Sequence, residues 1–131
     1  MKKEKIIICS SISFWEEINQ WREKLEKENY SVIKYPEKLS GEFLPNYKKE
    51  FSEHYQMIAE SDILFILNLR KNGIDGYIGA GVFAEIAFAI GLNRTYNKKI
   101  KVFCLNRIPG SLPYSEELKY WEELGWIKFW K

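Results

Sequence analysis

The residues most able to do chemistry cluster between Gly73 and Leu92, in the run G-I-D-G-Y-I-G-A-G-V-F-A-E-I-A-F-A-I-G-L. Glu85 is the only charge between Val82 and Leu92. Burying a carboxylate without partners costs several kcal/mol, so such a residue needs a reason. Gly73, Gly76, Gly79 and Gly81 precede it, and glycine lets a ligand approach the backbone closely. A small-molecule site with a working carboxylate at its floor is the expectation. Ionised near a helix N-terminus and poorly solvated, Glu85 has the character of a nucleophile for an electrophilic carbon. The alternative is a helix glutamate facing solvent or a partner subunit. His54, the single histidine, is a candidate for proton transfer near neutral pH, or else a surface residue of an amphipathic helix. Ser10, Ser11 and Ser13 either donate to a bound ligand beside the free N–H groups of the following helix, or cap and turn the chain.

Alternating elements must position these groups. Lys5 to Cys9 is a short apolar run and reads as a strand buried on both faces. Phe14 to Glu28 carries Phe14, Ile18, Trp21 and Leu25 at helical spacing, with Ser13 and Glu16 fitting a capping box. Tyr30 to Tyr35 is β-rich. Pro36 to Pro45 reads as a loop, and Tyr47 to Glu60 as a helix with Phe51, Tyr55 and Ile58 on one stripe. Asp62 to Leu67 is the clearest buried strand, and Asp62 itself reads as structural. Asn68 to Gly79 forms a loop into the Glu85 helix. Lys99 to Leu105 is a strand and Tyr114 to Leu124 a helix ended by Gly125. Trp126 to Trp130 reads as a short edge strand. The pattern predicts an α/β fold: a doubly wound parallel sheet of about five strands, a Rossmann/flavodoxin-like three-layer sandwich. Ligands bind such sheets beyond the carboxyl ends of the strands, so the serines, the glycine loop and Glu85 are expected at one edge.

The 131 residues fit a single domain, 1–131. Twenty basic against eighteen acidic residues leave a net charge of +2, which argues against a dedicated nucleic-acid or membrane surface. The apolar stretch behind the basic start is only Ile6-Ile7-Ile8-Cys9, too short for a signal core or a span, so a cytoplasmic location is expected. Cys9 and Cys104 have no metal-like spacing and read as buried, reduced thiols. With one histidine and no cysteine cluster, no metal and no organic cofactor is expected.

The strand S-D-I-L-F-I-L-N, the glycine loop, the helix G-A-G-V-F-A-E-I-A-F-A-I-G-L and the start K-I-I-I-C-S-S-I together resemble the nucleoside 2-deoxyribosyltransferase-like superfamily, which includes nucleotide N-glycoside hydrolases. The likeness covers most of the chain. It implies that Glu85 attacks the anomeric carbon of a nucleoside and displaces the base, with a second base or water then taking the sugar. His54 stands where the family carries an aspartate that aids proton transfer to the base. Backbone groups from Gly76 to Gly81, with Ser11 and Asn68, would position the sugar, and Ser10, Ser13, Asp75, Tyr77, Gly79 and Gly81 complete the expected substrate-binding set. Besides the exchange at His54, two further departures stand out. The family's first-strand tyrosine, which orients the nucleophile, aligns with Ile7 or Ile8, leaving Tyr77 or Tyr55 as replacements. The arginine of nucleotide-hydrolysing members aligns with Ser13. The resemblance also implies a homodimer or higher homo-oligomer, with the aromatic C-terminus (Trp121, Trp126, Trp130) a candidate interface. The competing expectation is a binding module of the same fold that holds a nucleotide or metabolite without turning it over.

Overall fold

A computed structural model describes residues 2–131. Five strands form one parallel sheet in the order β2-β1-β3-β4-β5. They are β1 (Lys5–Cys9), β2 (Ser31–Lys34), β3 (Ile63–Ile66), β4 (Lys101–Cys104) and β5 (Lys128–Phe129). The helices are α1 (Trp15–Lys27), α2 (Phe43–Glu60), α3 (Ala80–Tyr96) and α4 (Ser115–Glu123). The architecture is the expected doubly wound α/β sandwich, and the strand order reverses beside β1.

Alternation along the central strands sorts the core into two layers. Ile7 and Cys9 of β1, with Leu64 and Ile66 of β3, pack on Ile58 of α2, Ile86, Ala89 and Ile90 of α3 and Leu118 of α4. Ile6 and Ile8, with Ile63 and Phe65, pack on Phe14, Ile18 and Leu25 of the α1 side. Successive strand side chains point to opposite faces, so these strands are apolar at nearly every position. Asp62 ties the strands together at their amino ends. Its Oδ2 accepts from the Lys5 N–H at 2.8 Å, and its own N–H donates to the Lys5 carbonyl.

Two local expectations are corrected, and one expected loop gains a turn. The Ser13–Glu16 capping box does not form. A 3₁₀ turn over Ile12–Phe14 precedes α1, and Ser11 caps that turn by accepting from the Ser13 N–H. Next, α2 starts at Phe43, so Pro45 lies inside its first turn. Proline is tolerated there because that N–H has no intrahelical partner in any case. The Asn46 side chain instead donates to the carbonyls of Ser40 and Glu42 and ties down the helix start. Finally, the loop after β3 contains a tight hairpin. Lys71 and Ile74 exchange both backbone hydrogen bonds around Asn72-Gly73, both at positive φ, as an Asn-Gly turn prefers.

The three C-terminal tryptophans are half-buried against the chain's own core. Trp121 stacks on Phe83 with centroids 5.3 Å apart, and Trp130 sits against Phe65, Phe103 and Tyr30. The more conspicuous exposed apolar surface is the start of α2, where Phe43, Leu44, Tyr47 and Phe51 all lie open.

Candidate functional site

Three elements bring three titratable side chains together on the α2–α3 side of the sheet. Cys9 ends β1 and is fully buried. His54 projects from the middle of α2, and Glu85 from α3. His54 Nε2 lies 3.5 Å from Cys9 Sγ and 3.4 Å from Glu85 Oε1. The ligating atoms of all three residues fall within 4.8 Å of one another. The His54 side chain is 9% exposed and the Glu85 side chain 18%, so Glu85 opens the cluster to solvent from one side. It is neither in bulk water nor sealed in the core.

The alternation of β1 explains why Cys9 belongs here. It shares a face with Ile7, and α2 and α3 cover that face. Ile7 and Ile8, the residues aligned with the family's orienting tyrosine, are wholly buried in the two core layers. The β1 side chain that meets Glu85 is therefore Cys9. Burial, and then the neighbouring Glu85 charge, push the Cys9 thiol well above its ordinary range. Tyr55 is close enough to feel the same charge. Burial first and Glu85 second raise its phenol to about 12. Tyr55 stacks on Phe51 at 4.2 Å and leans on Phe88 at 5.1 Å, giving the cluster an aromatic wall.

Glu85 is the sixth residue of α3, after Gly79 at the N-cap. That is deeper than the first turn, where the helix terminus acts most strongly. Within salt-bridge distance of its carboxylate is His54 Nε2, at 3.4 Å.

The serines form a second group at the carboxyl end of β1. Ser11 Oγ lies 2.8 Å from Ser13 Oγ and accepts from Lys71 Nζ at 2.7 Å. Lys71 also lies 5.6 Å from the Tyr77 ring centroid. This lysine supplies a cation beside Ser11 and Ser13. Ser10 points elsewhere and donates to the Leu67 carbonyl at 2.6 Å.

Other expected contacts turn inward. Asn68 is fully buried. Its amide donates to the carbonyls of Asn106 and Gly76, and its Oδ1 accepts from the Asn106 N–H. Asn106 Nδ2 returns a bond to the Asn68 carbonyl. Asn68 therefore locks the loops after β3 and β4 together and has no free end for a sugar. Gly76 is needed for the same junction. Its φ is +71°, and a Cβ there would stand 2.2 Å from the Arg107 carbonyl oxygen. The close neighbour its missing side chain admits is protein backbone, not a ligand. Asp75 is exposed and paired with Arg70 at 2.6 Å. Gly79 has an ordinary extended backbone at the start of α3, and Gly81 faces open space. Tyr77 is half-buried beside Lys71.

Cys9 and Lys71 are the two residues the sequence did not single out. A period-2 reading of β1 places Cys9 on the face of Ile7, but only the packing shows which helices cover it. Lys71 follows from the Asn-Gly hairpin, which folds it back toward the end of β1.

Three cavities among the described residues lie elsewhere. One, of about 420 Å³, is lined by Arg94, Lys98, Lys101, Trp126 and neighbours. The other two flank Arg107 and Ile108. Glu85 lines none of these three. The chain matches no model of a known protein family and no curated protein. Among the described residues, no helix is long and apolar enough to cross a membrane.

Proposed function

We propose that this protein is a divergent member of the nucleoside 2-deoxyribosyltransferase-like superfamily and cleaves or transfers at the N-glycosidic bond of a (deoxy)nucleoside or nucleotide. One observation carries the reading. The sole carboxylate of an apolar helix reaches a partly open position 3.4 Å from the only histidine of the chain. That pairing unites a nucleophile with a proton carrier.

In the proposed step a Glu85 oxygen bonds to C1′ while the C1′–N bond breaks. The bonding pair leaves with the base, and His54 gives its proton to the base nitrogen. Water or a second base then displaces Glu85 from C1′, and His54 recovers a proton from that incoming group. Cys9 holds the carboxylate from below, in place of a first-strand tyrosine. Tyr55 walls the site, and Lys71 with Ser11 and Ser13 offers a cationic, hydroxyl-rich contact suited to a 5′-phosphate. A cytoplasmic homodimer completes the proposal. Its interface is the exposed α2 stripe of Phe43, Leu44, Tyr47 and Phe51, on the helix that carries His54.

A 2-fluoro sugar analogue of a nucleoside tests the mechanism. Added mass on Glu85 after digestion supports it. Tight binding of nucleotides with no adduct and no base release favours instead a binding module of the same fold. That alternative draws on one fact: the Glu85 carboxylate is already engaged by His54.

A further inference from the structure

We infer that Cys9, His54 and Glu85 form a binding site for one borderline transition-metal dication, zinc by ligand type, with a fourth coordination position open toward solvent. The site needs no nucleoside and does not rest on the glycosyl reading. The two uses compete, because a metal-bound Glu85 is not free to attack C1′.

The ligand set is the first support. Thiolate, imidazole and carboxylate are three groups zinc takes in combination, and three protein ligands with an open position mark a reactive zinc site. Geometry is the second. Metal–ligand distances of about 2.3 Å to sulfur and 2.0–2.2 Å to nitrogen and oxygen place tetrahedral ligand atoms about 3.3–3.6 Å apart. The two measured edges are 3.5 Å, from Cys9 Sγ to His54 Nε2, and 3.4 Å, from His54 Nε2 to Glu85 Oε1. The third edge is within 4.8 Å, so a small rotation of one side chain closes the triangle.

A third support is the convergence on a single atom. Both Cys9 and Glu85 approach Nε2, and a ring N–H points along one direction only. An ion at the centre of the triangle satisfies all three ligands at once. Charge fits as well: one thiolate and one carboxylate neutralise a dication in a mostly buried setting. The positions are fixed by rigid elements, since Cys9 is paired in the sheet with Ile66 and the other two ligands stand on long helices. Binding breaks the Cys9 S–H bond. The sulfur pair goes to the metal, and the proton goes to solvent.

The test is a titration of chelator-treated protein with Co²⁺. The expected result is one-to-one binding with the strong visible bands of four-coordinate cobalt and a thiolate-to-cobalt charge-transfer band in the near ultraviolet. Zn²⁺ should bleach both. About one proton should be released per ion at pH 7, and affinity should fall as pH is lowered. Cys9→Ser should remove the charge-transfer band, and Glu85→Gln should weaken binding at least about tenfold. Wild-type protein that binds no stoichiometric cobalt overturns the site, as does binding whose spectrum survives both substitutions. The wild-type titration requires no variant to fold. Base release from nucleosides by the metal-free protein tests the glycosyl reading separately. Activity without metal, suppressed by Zn²⁺, supports both, whereas inactivity with a normal cobalt spectrum removes only the glycosyl reading.

Discussion

Two polar clusters, one joining the loops after β3 and β4 and one set among β1, α2 and α3, differ in how their hydrogen bonds close. Around Asn68 the side-chain amide is fully met by protein: the Asn106 and Gly76 carbonyls accept from it, the Asn106 N–H donates to it, and a carbonyl fills the space beside Gly76. Around His54 two partners crowd one nitrogen, and one of them, Glu85, remains partly open to water. A buried polar group with all its bonds made rigidifies a fold. A cluster with competing partners and an open side can exchange one of them for a substrate or an ion. By residue type alone, both clusters pass for ligand contacts. Closure of the network assigns Asn68 to structure and leaves Glu85 free for the proposed chemistry.

The sharpest way to break that contrast is to substitute both residues and measure both stability and turnover. Glu85→Gln should cut nucleoside turnover at least about 10³-fold, roughly 4 kcal/mol in the barrier, with the unfolding midpoint nearly unchanged. Asn68→Ala should do the reverse. It orphans buried groups of Asn106 and Gly76 and should lower stability by about 2–3 kcal/mol in urea unfolding, with residual turnover tracking the folded fraction. Equal losses of stability in the two variants would erase the distinction. Gly76→Ala belongs with Asn68. The positive φ and the Arg107 carbonyl in the way should cost about 1–3 kcal/mol by the same assay.

A smaller effect tests the second polar group. Lys71→Met should leave nucleoside turnover intact and reduce preference for a 5′-phosphorylated substrate by about tenfold, or about 1.4 kcal/mol. Competition kinetics between nucleoside and nucleotide reads this directly. A further effect is pH-dependent. Burial, aided by Glu85, raises Cys9, and burial with a contribution from Glu122 raises Cys104 to about 12. Both thiols ionise more easily in the unfolded chain. Stability from them is therefore full below the ordinary thiol value near 9 and falls as pH rises above it, for Cys104 up to about 12. The slope should reach at most about 1.4 kcal/mol per pH unit for each thiol. Urea melts at pH 8 and pH 10 should show it, and Cys104→Ala should flatten it.

Much of the fold was legible in the chain. Ile6-Ile7-Ile8-Cys9 and Ile63-Leu64-Phe65-Ile66 are continuous apolar runs of strand length, and the segments between them carry helical spacing. Such patterns are local, and a parallel sheet follows from their alternation. Boundaries were less legible where side chains compete for caps. Ser11 rather than Ser13 took the capping role, and Pro45 entered α2 because a first-turn N–H is dispensable. The C-terminal tryptophans read as a candidate interface, because aromatic composition does not distinguish a core from a subunit contact. They fold onto Phe83, Phe65 and Phe103.

From the sequence alone, Glu85 was an isolated charge on an oily helix and His54 the single imidazole of the chain, and strand periodicity set Cys9 on the face of Ile7. None of these facts joins the three. Residues 9, 54 and 85 meet because β1, α2 and α3 pack in one layer, and that choice depends on which face of the sheet each helix covers. The same holds for Asn68, whose bonds close through Asn106, and for Lys71, which the hairpin returns to Ser11. Periodicity is a property of neighbours along the chain, whereas the satisfaction of a polar group depends on neighbours in space, so only the folded structure could divide the scaffold from the site.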